Sequence, residues 1–357
     1  MNYRSLRPGK TWLDTKGKRI QAHGGSVFHK DGIYYWYGEN KEKSVKGSVI
    51  WHWGVRCYAS KDLYNWEDKG LLIPPQPDDP NSPLYPSVCL DRPHILYNEK
   101  TKKYVCWVKI MEGGNRQSMT VLIADDFFGP YEIAKTGYRP FGFNSGDFDL
   151  GVDPQTKKGY YYFEKVHTEI ICAELSGDYT EVTGQYSSHF PRSHPPFVRE
   201  APVHFVRNGK HYLFTSGTTG YYPNETELAI ADDWHGPYKV LGNPHPKDRA
   251  KTSFRSQITD VLKVENLDLY IAIADRWLPK FPRSLILTKM ILRKFDRKYG
   301  ADGEKKAKEE QPYINQKSKI MNNSNTAYAN YVWLPIRFEG ELPIIDWKNE
   351  WRIEDQM

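Results

Sequence analysis

The sequence predicts an all-β chain, a five-bladed β-propeller with a helical insertion near the C-terminus. Three observations predict it. Aromatic residues make up 14% of the 357 residues, and 27 Gly and 24 Pro punctuate them, which suits many short strands joined by turns. A short aromatic strand recurs five times along the chain. A turn element follows most copies in the same order, and ordered self-similarity at a long period marks a repeat architecture.

The first copy lies in the stretch 21–43, where two strands meet at the turn Lys30-Asp31-Gly32 and the second runs Ile33-Tyr34-Tyr35-Trp36-Tyr37. Its echoes are Tyr104-Val105-Cys106-Trp107, Tyr160-Tyr161-Tyr162-Phe163, His211-Tyr212-Leu213-Phe214 and Leu269-Tyr270-Ile271-Ala272. The turn element reads Ala59-Ser60-Lys61-Asp62, Ala124-Asp125-Asp126 and Ala231-Asp232-Asp233, with Leu175-Ser176-Gly177-Asp178 as a weaker copy. Copies of roughly 50–70 residues, each with about four short strands, build propeller blades with only short protected edges. A β-sandwich would have no reason to repeat two elements in order. The blades are expected at 20–75, 88–135, 145–185, 198–243 and 253–345, in a single domain over 1–357.

The last blade is too long, and an insertion over about 279–326 explains it. Within it, 284–311 is rich in Lys, Arg and Glu, with Leu285, Leu287, Met290, Ile291 and Phe295 at helical spacing. A surface helix packed on the propeller is expected, with a lid or an oligomer contact as alternatives. Trp347 and Trp351 are expected to pack on the N-terminal segment around Trp12 and close the ring.

Composition excludes several classes. The net charge of +6 comes from 50 basic residues scattered among 44 acids. No basic stripe with interleaved aromatics stands out, so no nucleic-acid partner is expected. No apolar run reaches about 18 residues, so no membrane partner is expected. The N-terminus lacks the apolar core of a signal peptide, which gives a cytoplasmic localisation unless a signal was removed. The four cysteines, Cys57, Cys89, Cys106 and Cys172, lack CxxC spacing and read as free thiols. The histidines His23, His94 and His204 show no ligand spacing, so no metal or other cofactor is expected.

Propeller geometry brings the starts of the inner strands together at one end of the axis. Polar residues there are His23 and Glu39 in blade one, Asp91 in blade two, Asp147 and Asp149 in blade three, Glu200 in blade four, and Gln257 with Asp275 in blade five. Glu200 stands before an apolar strand, and Pro202 blocks a helix there. A carboxyl held among apolar neighbours has a raised pKa and can act as a general acid. The plainer alternatives are a loop Glu for Glu200, a turn-capping Asp for Asp147 and a local ion pair for Asp91 and Arg92. Paired carboxyls in an aromatic funnel suit glycosidic bond cleavage.

At these residues the chain resembles glycoside hydrolase family 43, and more narrowly its exo-β-1,3-galactanase branch. The resemblance rests on AHGGSVF at 22–28, YYWYGENK at 34–41, DRPHILYN at 91–98, SGDFDLGVD at 145–153, EAPVHFVRNGKHYLFTSG at 200–217, SQITDVL at 256–262 and DRW at 275–277. It implies Glu200 as general acid and Asp147 as the carboxylate that orients it and tunes its pKa. The family's base, an Asp in an Asp-Pro-Ser setting, is replaced by Gly24-Gly25-Ser26. The branch shares this loss, and there a glutamine matching Gln257 takes the role. Glu39 matches a sugar-binding Glu. Asp91 stands where the branch carries Glu. His23, Thr218, Thr219, Tyr222 and Arg276 complete the candidate substrate contacts.

The implied activity is an exo-acting, inverting galactan 1,3-β-galactosidase on oligosaccharide or polysaccharide. An inverting pair should stand about 6.5–9.5 Å apart. An α-L-arabinofuranosidase, a β-xylosidase and a non-catalytic sugar-binding propeller are the alternatives. A structural calcium occurs in some family members. Because the chain ends at Met357, no carbohydrate-binding module is expected to follow the propeller.

Overall fold

Each aromatic run becomes the second strand of an antiparallel blade, four-stranded in blades one to four and five-stranded in blade five. The computed structural model describes residues 2–113, 115–300 and 325–356. Blade one holds β1 (His23–Lys30), β2 (Ile33–Glu39), β3 (Val55–Ser60) and β4 (Glu67–Ile73). Blade two holds β5 (Cys89–Asn98), β6 (Lys103–Gly113), β7 (Arg116–Ala124) and β8 (Glu132–Tyr138). Blade three holds β9 (Ser145–Val152), β10 (Gly159–Lys165), β11 (Glu169–Leu175) and β12 (Val182–His189). Blade four holds β13 (Arg199–Arg207), β14 (Lys210–Gly217), β15 (Glu227–Ala231) and β16 (Lys239–Gly242). Blade five holds β17 (Gln257–Lys263), β18 (Tyr270–Arg276), β19 (Asn330–Tyr331), β20 (Leu334–Glu339) and β21 (Leu342–Ile345).

The strands of each blade run in chain order from the axis outward, and β1, β5, β9, β13 and β17 pack on one another as a closed inner ring. Five apolar clusters fill the five gaps between blades. This explains why the second strands read as unbroken aromatic runs: a blade is buried on both faces. Trp36 packs toward blade five and its neighbour Tyr37 toward blade two. The four cysteines are free, and three of them are buried in these interfaces.

The termini close the ring. Leu6 pairs with Trp351, and Gly9 N–H donates to the Tyr331 carbonyl at 2.6 Å. Trp12 packs edge-on against Trp36 and Trp333, and Trp351 donates its indole N–H to the Trp333 carbonyl at 2.9 Å. Trp347 does not join them. It packs instead on Phe254, in the gap between blades four and five.

The insertion forms α1 (Leu285–Tyr299), capped by the Ser284 hydroxyl, which accepts from Leu287 N–H at 3.3 Å. Residues 301–324, the rest of the expected helix and insertion, lie outside the described residues. The expected apolar stripe is only partly covered: Phe295 is buried, while Met290 is exposed. Phe295 packs against Tyr222 and Tyr299 against His167, so the helix buttresses loops at the mouth of the propeller. No described helix is long and apolar enough to cross a membrane.

One local device recurs at the site end. The register slips between His23 and Ser26 in β1, Asp91 and His94 in β5, Glu200 and Val203 in β13, and Ile258 and Asp260 in β17. Blade three shows the same slip where β9 meets Phe163 and Lys165 of β10. Bulges of this kind bend a strand and re-aim its side chains. In three blades the residue after the site residue is left-handed: Gly24 at φ 61°, Arg92 at 52° and Ala201 at 49°.

Candidate active site

A cleft opens where blades four and five meet. Its described lining comes from Ser216, the 220–224 loop, Arg255, Ser256, Gln257, Asp275, Trp277 and Leu278. Glu200 reaches it from β13, half-buried. Gln257 Nε2 donates to Ser216 Oγ at 2.9 Å and faces Glu200 Oε1 at 3.5 Å, while Trp277 Nε1 donates to Gln257 Oε1 at 3.2 Å.

Burial pushes the Glu200 carboxyl well above the ordinary carboxylate range, and the charges of Asp147 and Glu164 add to the rise. Asp147 goes the other way. Burial opposes its ionisation, but the Lys109 ammonium at 2.6 Å and the Arg92 guanidinium at 3.8 Å outweigh that and hold it low. The two carboxyls are therefore pushed apart, one toward the acid and one toward the anion, as acid and helper should be.

Lys109 also lies 3.4 Å from Asp91, and burial of its ammonium is outweighed by Asp147 and Asp91, so its pKa is raised. Asp91 accepts from Trp51 Nε1 at 2.9 Å and lies 3.7 Å from Lys41. Lys41 stands 2.7 Å from Glu39, whose other oxygen accepts from Arg92 N–H at 2.9 Å. Burial drives Glu39 up to about 8; Lys41 opposes the rise and Asp91 adds to it. Glu39, Asp91 and Asp147 thus alternate with Lys41, Lys109 and Arg92 in one buried chain of charge. The pairing of Asp91 with Arg92 suggested by sequence is replaced by Lys109, Lys41 and Trp51.

Aromatic rings wall the cleft. Tyr221 stacks on Trp51 with centroids 6.5 Å apart and lies 5.3 Å from Trp277. It bridges the loop after β2 to the loop after β14. Burial, then the Asp91 and Glu39 carboxylates, push its phenol well up, so the hydroxyl remains a donor.

Other sequence candidates fall as follows. Tyr222 lines the cleft. Thr218 and Thr219 are buried, and their hydroxyls donate to the carbonyls of Val198, just before β13, and of Tyr222 in the same loop. Arg276 is turned away, because it alternates with the cleft residues Asp275 and Trp277. Its guanidinium donates to the Phe254 carbonyl at 2.9 Å and packs over Trp347. His23 is fully buried beneath the cleft, with Nδ1 2.8 Å from Asp275 Oδ1. Gln257 meets Glu200 at 3.5 Å, well inside the separation expected of an acid and a water-activating group across a sugar.

Several residues escaped the sequence reading. Lys41 and Trp277 lie in quoted motifs without being singled out, and Trp51, Lys109 and Tyr221 carry no motif of their own, although Lys109 is the cross-strand partner of Asp91. Glu164 is buried behind the acid, against Gly146, where a Cβ would meet its Oε2 at 2.3 Å. Burial and then Asp147, opposed by the His167 N–H, drive its pKa up to about 7. Among the described residues no group of three His, Cys, Asp or Glu side chains is placed to hold a metal ion, and no chemistry below is routed through one.

The family model described as "Glycosyl hydrolases family 43" matches residues 20–278. Among curated proteins no sequence matches. Among solved structures, the chain is similar to the GH43 β-1,3-galactosidase BT0265, with TM-score 0.77 and 27% identity over 98% of this chain and 64% of that one. It thus spans under two thirds of that protein's length. It is also similar to the GH43 β-1,3-galactosidase BT3683, solved with galactodeoxynojirimycin, with TM-score 0.75 and 25% identity over 98% of this chain and 100% of that one. The exo-β-1,3-galactanase 1,3Gal43A of Clostridium thermocellum matches with TM-score 0.73 and 26% identity, over 97% of this chain and 66% of that one.

Proposed function

The chain belongs to glycoside hydrolase family 43, and on that premise we propose that it is an exo-acting, inverting β-1,3-galactosidase of the exo-β-1,3-galactanase type. One observation carries the reading. Glu200 stands beside the cleft residue Gln257 and close enough to Asp147 to feel its charge, and the pKa values of the two carboxyls are driven in opposite directions. Glu200 protonates the glycosidic oxygen as the bond to the anomeric carbon breaks. Asp147 stays ionised, keeps that proton on Glu200 and favours the positive charge that develops on the sugar. Glu39, Asp91 and Arg92 present fixed hydrogen-bonding groups to the sugar, and Tyr221, Tyr222 and Trp277 offer its apolar face a wall.

The exo action is supported by the Trp51–Tyr221 contact, which ties two loops together beside the cleft. The galactose preference is supported by the β-1,3-galactosidases to which the chain is similar. The test compares p-nitrophenyl β-galactoside, α-L-arabinofuranoside and β-xyloside with β-1,3-galactobiose, for wild type and Glu200→Gln. Galactose release that falls by about 10²–10⁴-fold on the natural linkage in Glu200→Gln is the expected result. Arabinose or xylose release would replace the sugar and keep the mechanism. Sugar binding without hydrolysis would make this a binding propeller.

A further inference from the structure

We propose that Arg255 is a receptor for an acidic group on the substrate, the carboxylate of a uronic acid or a sulfate ester carried by the oligosaccharide. The proposal rests on the hydrolase reading above and adds a class of substrate to it. It starts from the way the Arg255 guanidinium is held. Nη1 donates to the Phe281 carbonyl at 2.8 Å and to the Pro279 carbonyl at 3.3 Å, which fixes the plane from one side. The opposite edge carries Nε and Nη2, whose parallel N–H bonds match two oxygens of a carboxylate or sulfate. Nε is buried with no hydrogen-bond partner among the described residues, and Nη2 donates to none of them. A buried donor left unpaired is destabilising, and an oxyanion on this edge would pair it.

The backbone beneath Arg255 is bent to make this presentation. Ser253, Phe254 and Arg255 are left-handed in succession, at φ 52°, 56° and 64°. Residues other than glycine rarely take that conformation, and strained segments gather at ligand sites. Asp248 holds the run: its Oδ2 accepts from Thr252 N–H at 2.7 Å and from Phe254 N–H at 3.0 Å. The Thr252 hydroxyl in turn accepts from Arg255 N–H at 3.2 Å. Gln257 follows two residues later at the head of β17, at most about 7 Å along the chain. Arg255, Gln257 and Tyr222 line the same cleft. An oxyanion on Arg255 therefore belongs to the sugar at the bond to be broken or to its neighbour.

Charge favours an anion at this wall. Burial lowers the Arg255 pKa and Arg283 lowers it further, while Asp248, whose Oδ2 is already shared by three donors, opposes them. Burial, then Arg255 and Arg283, bring Arg276 down to about 10. Three guanidiniums thus repel one another, and among the described residues neither Arg255 nor Arg283 forms an ion pair. Asp275, the carboxylate of the cleft lining, is turned to His23 and to Gly24 N–H. The entry to the insertion supplies the mounting. Residues 279–283 carry both carbonyls and Arg283, and Phe281 packs against the cleft residue Tyr222 with centroids 5.9 Å apart.

The experiment compares β-1,3-galactotriose bearing a glucuronic acid substituent, its carboxyl-reduced neutral twin and a sulfated galactotriose. Hydrolysis is followed in wild type, and binding by calorimetry in Glu200→Gln, which separates failure of the hydrolase reading from failure of the site. The expected result is a preference of about tenfold or more for an acidic form over the neutral one, carried by KM and Kd rather than by kcat. A larger preference for the glucuronide assigns the carboxylate, and one for the sulfated form assigns the sulfate ester. Arg255→Gln, and Arg283→Glu at an exposed position, are checked by thermal melts, and each should bring the preference toward one. Equal handling of charged and neutral forms by wild type overturns the proposal whatever the variants do. A folded Arg255→Gln that keeps the preference also overturns it. If Arg255→Gln does not fold, Arg283→Glu decides, and an undiminished preference there overturns the proposal. A binding preference without any hydrolysis supports the site and removes the hydrolase reading.

Discussion

Glu200 is a good acid because of what surrounds it, and one neighbour can be removed without touching the cleft. Glu164 sits behind Asp147, and its charge is one of the causes that raise the Glu200 pKa. An acid works while protonated, so activity is lost as pH rises through its pKa. Glu164→Gln should lower the Glu200 pKa and move the basic limb of kcat/KM to lower pH. A pH profile of both proteins checks this, and an unmoved limb would remove Glu164 from the account. Lys109 serves stability as well as tuning. It is buried between Asp147 and Asp91, so Lys109→Met leaves these carboxylates only their longer contacts to Arg92 and Lys41. Breaking buried pairs of this kind costs about 3–5 kcal/mol, to be read from urea denaturation at pH 7.

At the scale of the element, the bulge at the head of each inner strand links sequence to site. The His23-Gly24-Gly25 motif was legible as a place where something approaches the backbone. What approaches could be seen only in the fold. A Cβ on Gly25 would lie 1.9 Å from the Tyr37 carbonyl, and one on Gly24 would strike Glu39. Gly24→Ala should destabilise the protein by about 1–2 kcal/mol for the left-handed backbone alone. Its thermal melt and kcat should both fall. Gly24→Asp, which restores the family's residue in name, should show no gain in turnover, because its side chain cannot leave the backbone without displacing Glu39. The positions of Glu200, Asp147 and Gln257 at the site end could be read from the pattern of strand starts. Arg276, Thr218 and Thr219 were misplaced for a common reason. Adjacency in sequence to a site residue says nothing about which face a side chain takes in a twisted, bulged strand or a tight loop.

The propeller as a whole was legible because blades buried on both faces require unbroken aromatic strands, and these repeat. Blade limits read from the repeat agree closely with the strands from β1 to β21. Long-range closure was only half visible: Trp351 joins Trp12 at the seam, but Trp347 packs elsewhere, since composition does not tell one tryptophan's partner from another's. The charge chain from Glu39 to Arg92 was not visible, because its six members come from the first three blades and meet only when the ring closes. What the whole molecule does with this ring is most directly tested by the stereochemistry of its first product. Early-time proton NMR of wild type with β-1,3-galactotriose should show α-galactose first, with galactobiose as the other product. First release of β-galactose, or of internal fragments without free galactose, would contradict an exo-acting inverting galactosidase.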